Sequence, residues 1–200
     1  MHVLIDLDNV LLTTFEKGND NSFFKLGYWT QNLKRDLGIE PSSLHTIFTH
    51  DFLVKDLDTL YMMTNLYLKS IQSNVTIKQF LNYWLKNDSS LNEEVWTWIL
   101  KNHTEKKHDF YIASDQSCIR MNYLLEKFPS WRHVFKKVYT SYSLGICKNN
   151  TLFFEKILRD LNVKPTDICL VDDNLTNIET AEKLNFQTIL FTNLLDLKKL

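Results

Sequence analysis

Short apolar runs separated by amphipathic stretches organise this chain. Five runs, at 2–7, 109–114, 135–140, 167–172 and 187–192, are apolar along much of their length, as strands buried on both faces are. Between the later runs the period changes. Phe154, Ile157, Leu158 and Leu161 fall at i, i+3, i+4 and i+7, which puts one apolar stripe along a helix. Strands alternating with helices predict an α/β fold built on a Rossmann-like, doubly wound parallel sheet. Numbered along the chain, the strands are expected in the spatial order 5-4-1-2-3, which sets the ends of the first, second and fourth side by side.

The stretch between the first run and the second, about a hundred residues, carries helix signals and no clear strand. It is too long for a plain crossover. Thr76 and Gln79 read as a capping box ahead of Phe80, Leu81, Trp84 and Leu85, and Ser90 and Glu93 repeat the device ahead of Val95, Trp98 and Ile99. Further helices are predicted at 30–37, 42–52 and 57–69. The expected organisation is an α-helical subdomain at 15–88 inserted into a core made of 1–14 and 89–200, with a helix over 90–102 leading back into the second strand.

With 200 residues, 44% apolar and 13% aromatic, the chain can bury a sizeable core. A formal charge of −1, with acids and bases interleaved, excludes the basic footprint of a nucleic-acid partner. Asp6 interrupts the first apolar run before a signal peptide or membrane span can form, so a soluble, cytoplasmic protein with no membrane partner is expected. Cys118, Cys147 and Cys169 fit neither a zinc knuckle nor a disulfide framework and read as buried free thiols. His45 and His50 miss the i, i+4 spacing of a helical zinc site. Trp84, Trp96 and Trp98, with Phe80 and Tyr83, read as helix packing rather than a stacking platform.

Ligands of open parallel sheets gather beyond the carboxyl ends of strands, so the residues ending the runs are where chemistry is sought. The first run ends in Asp6-Leu7-Asp8, the second in Ser114, the fourth in Asp172-Asp173, and Lys148 opens the helix expected after the third. Attack on a phosphate ester needs a nucleophile held in line while cations neutralise the phosphoryl oxygens. That calls for carboxylates to hold a metal, an ammonium and a hydroxyl. Singly, each has an ordinary reading: a solvated turn, a helix cap, a surface lysine, a solvated acid pair. Their joint order along the chain sets them apart.

Val3-Leu4-Ile5-Asp6-Leu7-Asp8-Asn9-Val10, Tyr111-Ile112-Ala113-Ser114-Asp115-Gln116, Gly145-Ile146-Cys147-Lys148 and Leu170-Val171-Asp172-Asp173-Asn174, with Asn177 and Ile178 beyond, resemble the four ordered motifs of haloacid dehalogenase superfamily hydrolases. The resemblance spans nearly the whole core. It implies that Asp6 attacks phosphorus to form an aspartyl-phosphate, and that Asp8 acts as general acid and base while its backbone carbonyl ligates the metal. It further implies that Ser114 and backbone N–H groups near Asp115 hold the phosphoryl group, and that Lys148 offsets its charge. Asp6, Asp8, Asp172 and Asp173 would form a Mg²⁺ site, with Asp173 the direct ligand and Asp172 acting through water or orienting Lys148.

Two departures stand out: Asn149-Asn150 replace the Pro-Asp that often follows the lysine, and Asn185 replaces the glycine behind Leu184. Asn150 or its neighbour is still able to cap the next helix, and Asn185 tolerates a left-handed helix end. The insertion resembles the small helical cap of the first subclass, in particular that of the sugar-phosphatase and epoxide-hydrolase N-terminal-like members. Asn19, Asn21, Lys25, Tyr28 and Trp29 are its candidates to face a substrate. A small phosphorylated metabolite is the partner implied. A 2-haloacid dehalogenase, a phosphomutase and a non-catalytic binding protein on the same scaffold remain alternatives. Asp8 argues against the first, because halide leaves without a proton.

Overall fold

The structure, a computed structural model, describes residues 1–14 and 27–200. Its strands are β1 (His2–Ile5), β2 (Leu12–Thr13), β3 (Ser90–Leu91), β4 (Asp109–Ser114), β5 (Phe135–Thr140), β6 (Ile168–Asp172) and β7 (Gln187–Leu190). Five of them form one parallel sheet in the order β5-β4-β1-β6-β7, and β2 pairs with β3 antiparallel. The expected order of the five long strands is therefore the observed one, counted from the other edge.

The helices before β3 are α1 (Leu33–Leu37), α2 (His50–Val54), α3 (Leu57–Ser70) and α4 (Ile77–Asn87), with 3₁₀ turns at Tyr28–Thr30 and Pro41–Thr46. After it come α5 (Glu93–Thr104), α6 (Cys118–Lys127), α7 (Trp131–Val134), α8 (Ser141–Leu144), α9 (Thr151–Leu161) and α10 (Leu175–Glu182). None of the described helices is long and apolar enough to cross a membrane.

Period-two alternation in the sheet explains the layering. Val3, Ile5, Phe110 and Ile112 point to one face and pack with Val95, Ile99, Met121 and Leu124 of α5 and α6. Leu4, Tyr111, Ala113 and Leu170 point to the other and meet Phe153, Phe154 and Ile157 of α9 and Ile178 of α10. Each such large side chain, taken out of water, contributes roughly 1.5–3 kcal/mol. A third cluster belongs to the helices of 28–87, where Trp29, Phe48, Phe52, Phe80 and Trp84 interlock edge to face, and Cys118 and Ile119 of α6 join it.

Local signals are partly as read. Thr76 and Gln79 close their capping box on α4. Ser90 does not cap: it pairs with Thr13 in β3, and Asn92 caps α5 through Val95 N–H at 3.3 Å. Asn92 is also tied back to the first motif, its N–H to Leu11 O and its amide to Val10 O. Two-residue strands have no period to read, which is why β2 and β3 are invisible in the pattern. Lys148 does not open a helix. It sits between α8 and α9, and Asn150, capping Leu152 N–H, starts α9. The three cysteines are buried free thiols. Trp84 is buried among the helices before β3, Trp96 under the sheet, and Trp98 packs on His108 and Phe110.

Asn185 takes φ 62° just past α10, where its N–H donates to Glu182 O and the next N–H to Ala181 O. A Cβ-bearing residue without a polar side chain is strained there by about 1–2 kcal/mol. Asn185→Ala is expected to lower unfolding free energy by about 1 kcal/mol, and Asn185→Gly to leave it nearly unchanged, as read by urea denaturation.

Candidate active site

Register brings the acids together. Ile5 lies opposite Val171 and Ile112, so Asp6, the first residue past β1, stands beside Asp172 at the end of β6 and near Ser114 at the end of β4. Its backbone N–H still donates to Val171 O at 3.0 Å. Asp6 is 5% exposed and Asp172 fully buried. Between them lies Lys148, 1% exposed, whose Nζ is 2.7 Å from Asp6 Oδ1 and donates to Asp172 Oδ2 at 2.6 Å. Asp172 is further held by Asn174 N–H at 2.9 Å and by the Asn177 amide at 3.2 Å.

Burial raises the Asp6 carboxyl to about 7 against the pull of Lys148, with Asp172 and Asp8 pushing the same way as burial. Asp172 is also raised, burial outweighing Lys148. Burial would discharge Lys148, but Asp172 and Asp6 hold it above its ordinary range and therefore charged. Two buried carboxylates against one ammonium leave negative charge over, and Asp173 adds to it. Asp6, Asp172 and Asp173 each offer a carboxylate oxygen within 4.8 Å of the others. Three hard oxygen donors with excess negative charge fit a hard divalent cation such as Mg²⁺, which keeps waters or a substrate oxygen in its other positions.

Asp8 is held by a second set of contacts. Its carboxylate accepts both Nη groups of Arg120, at 2.9 and 2.7 Å, Gln116 Nε2 at 2.8 Å and Thr14 Oγ1 at 2.7 Å. Burial alone would raise it, yet the Arg120 guanidinium and these hydrogen bonds hold it below the usual carboxylate range. Gln116 Nε2 also donates to Ser114 Oγ at 3.2 Å and so ties Asp8 to the end of β4. Asp115 braces the lysine loop: its Oδ1 accepts from Ser141 Oγ at 2.5 Å and from Lys148 N–H at 3.0 Å.

Of the residues singled out in the sequence, Asp6, Lys148, Asp172 and Asp173 converge, Ser114 ends the neighbouring strand, and Gln116 joins it to Asp8. Asn19, Asn21 and Lys25 lie outside the described residues. Tyr28 is 37% exposed, but Trp29, expected among the substrate-facing candidates, is 6% exposed and packs on Phe48, Phe80 and Trp84 instead. His45 is exposed, and the His50 ring Nε2 lies 3.4 Å from the Asn149 amide. Arg120, Gln116, Thr14 and Asn177 were not foreseen. Gln116 and Asn177 lay within the quoted motifs; Arg120 has no local signal on an otherwise amphipathic helix.

The family model of haloacid dehalogenase-like hydrolases matches residues 1–185. The chain belongs to this family. Haloacid dehalogenase-like hydrolases also share its fold. The enzyme bt-2542 of Bacteroides thetaiotaomicron, solved as a magnesium complex, superposes with a TM-score of 0.74 at 20% identity, over 96% of this chain and 92% of that one. The same enzyme has been solved with magnesium and inorganic phosphate. A phosphatase of the family from Thermococcus onnurineus gives a TM-score of 0.61 at 16% identity, over 96% of this chain and 86% of that one. Drimenol cyclase drtB of Aspergillus calidoustus is 35% identical over 68 residues, 34% of this chain. The matched stretch spans 13% of the length of that curated relative.

Two outcomes follow for this family member. Lys148→Met leaves Asp6 and Asp172 facing each other, so urea unfolding without metal should show a loss of about 3–5 kcal/mol, partly recovered with Mg²⁺. Asp6 at about 7 means that protons compete with a cation for its oxygens in the metal-free protein. Cation binding is at full strength above that value and lost as pH falls through it. Calorimetry should find Mg²⁺ bound about tenfold more weakly at pH 6 than at pH 8, with proton release; equal affinities would remove Asp6 from the ligand set.

Proposed function

We propose that the protein is a Mg²⁺-dependent phosphatase that hydrolyses a small phosphate monoester, such as a sugar phosphate, through an aspartyl-phosphate on Asp6. One observation carries the reading: Lys148 is buried between Asp6 and Asp172 beside Asp173, a charge arrangement suited to receiving a phosphoryl group together with a cation. The solved relatives with magnesium and phosphate, and the family phosphatase of similar fold, support it.

Asp6 and Asp173 would hold the cation, with the Asp8 backbone carbonyl, and Asp172 keeps Lys148 in place. When bound, Mg²⁺ supplies charge neutralisation of the phosphoryl oxygens and orients them for in-line attack. An Asp6 carboxylate oxygen attacks phosphorus, the bond from phosphorus to the ester oxygen breaks, and Asp8, ionised in the free protein and protonated from solvent as the dianionic ester binds, gives that oxygen its proton. Water then attacks phosphorus, Asp8 takes up a proton from it, and the bond to Asp6 breaks, releasing inorganic phosphate. The Ser114 hydroxyl and the Lys148 ammonium stabilise the transferring group throughout. The helices of 28–87 act as a cap that shields this chemistry from bulk water and selects the ester's organic part.

Hydrolysis of p-nitrophenyl phosphate with and without Mg²⁺, by the parent and by Asp6→Asn, tests the reading. Metal-dependent release in the parent, lowered at least about a thousandfold in the variant, is the expected result. A parent that releases nothing from the ester but dehalogenates 2-haloacids without metal would overturn it.

A further inference from the structure

Asp8 is enclosed by donors on both oxygens. Thr14 Oγ1 and Arg120 Nη2 donate to Oδ1, and Gln116 Nε2 and Arg120 Nη1 to Oδ2. The guanidinium that makes two of these bonds is 5% exposed and has its remaining edge occupied. Its Nε donates to Asp88 Oδ2 at 2.6 Å, and Nη1 also reaches Gln116 Oε1. Asp88 is 4% exposed, and its other oxygen accepts from Trp84 Nε1 at 3.1 Å.

The places of these residues in the chain matter as much as the contacts. Asp88 directly follows α4 and stands two residues before β3, where the chain passes from the helices back to the sheet domain. Thr14 directly follows β2, on the outward passage. Both passages therefore reach the Asp8 carboxylate: one through a hydroxyl, the other through Asp88 and Arg120. Trp84 carries the second connection into the aromatic cluster of the helices.

We propose that Arg120 is a positioning residue for Asp8, fixing the plane of its carboxylate with a two-pronged grip and anchoring it, through Asp88, to the passage between the helices and the sheet. The inference rests on the reading of Asp8 as the acid and base of the proposed phosphatase. A planar fork matches a carboxylate at two points, so it fixes orientation as well as charge, which an ammonium does not. Proton transfer demands that placement, since a misplacement of about 1 Å costs on the order of a hundredfold in rate.

The test uses the full chain with Mg²⁺ and two variants. Arg120→Lys keeps the charge and loses the fork. Asp88→Asn is nearly isosteric and cuts only the link to the passage, so it serves if the lysine variant does not fold. Two esters separate positioning from general damage: p-nitrophenolate departs without a proton, whereas glycerol 2-phosphate loses an alkoxide that needs one. In Arg120→Lys the turnover of glycerol 2-phosphate is expected to fall at least about tenfold further than the single-turnover release of p-nitrophenolate with enzyme in excess, with KM for both within about threefold of the parent. Asp88→Asn should show the same bias at smaller size. An equal fall on both esters, or a change confined to KM, overturns the positioning role and leaves the phosphatase reading in place. A parent protein without metal-dependent release of p-nitrophenolate overturns the phosphatase reading, and this proposal with it.

Discussion

A single buried ammonium organises the mouth of this fold. Lys148 has almost no contact with solvent, and a charge so placed persists only where opposite charges surround it. Asp6 and Asp172 supply them, and they are neighbours because β1 and β6 are. The requirement runs in both directions. Without the lysine, two carboxylates at adjacent strand ends would repel in a site with little water to screen them; without the carboxylates, the loop between α8 and α9 would have no reason to bring a lysine into the interior. Asp115 completes the arrangement by holding that loop at its backbone, so the ammonium is fixed from the main chain as well as at its tip.

The rest of the molecule supplies rigidity to that arrangement. Side chains on both faces of the sheet leave β1, β4 and β6 no freedom to slide, because a shift of one residue would exchange Leu4 for Val3 or Ile5 and turn each layer inside out. Strand ends in a parallel sheet then point one way, and polar groups that would be unwelcome elsewhere accumulate where the apolar layers stop. The helices of 28–87 keep an aromatic core of their own and touch the sheet domain through few apolar residues, Cys118 and Ile119 among them. Among the described residues a polar connection also runs through Asp88, Arg120 and Thr14, and polar connections of this kind have discrete partners rather than continuous surfaces.

What could be read in advance follows from the range over which each signal acts. The five long strands and α9 were legible because periodicity is local, and the acids and Ser114 because they end those strands. The sheet order followed from rules on connections. Other features depend on what arrives from far away. Ser90 looks like a cap until Thr13 pairs with it and leaves the task to Asn92. Trp29 looks like a surface aromatic at the start of an insertion until Phe48, Phe80 and Trp84, up to fifty-five residues later, close around it. Arg120 is separated from Asp8 by more than a hundred residues, and no spacing rule joins a helix position to a turn across that distance.

Two aspartates separated by one residue end up in opposite electrostatic conditions, and the difference lies in what each faces. Asp6 shares one ammonium with another buried carboxylate, so its charge is only partly balanced and its carboxyl is pushed up to about 7. Asp8 shares a guanidinium with Asp88 and has two neutral donors besides, which together hold its carboxyl below the usual range. Their partners account for the difference: Lys148 and Asp172 surround Asp6, whereas Arg120, Gln116 and Thr14 surround Asp8, and Asn9, with φ 57°, turns the chain immediately afterwards. Environments that push two acids apart in this way give a fold distinct roles for chemically identical groups. The carboxylate that shares its ammonium is left incompletely balanced, while the one bonded at both oxygens is held in orientation, and one residue separates the two conditions.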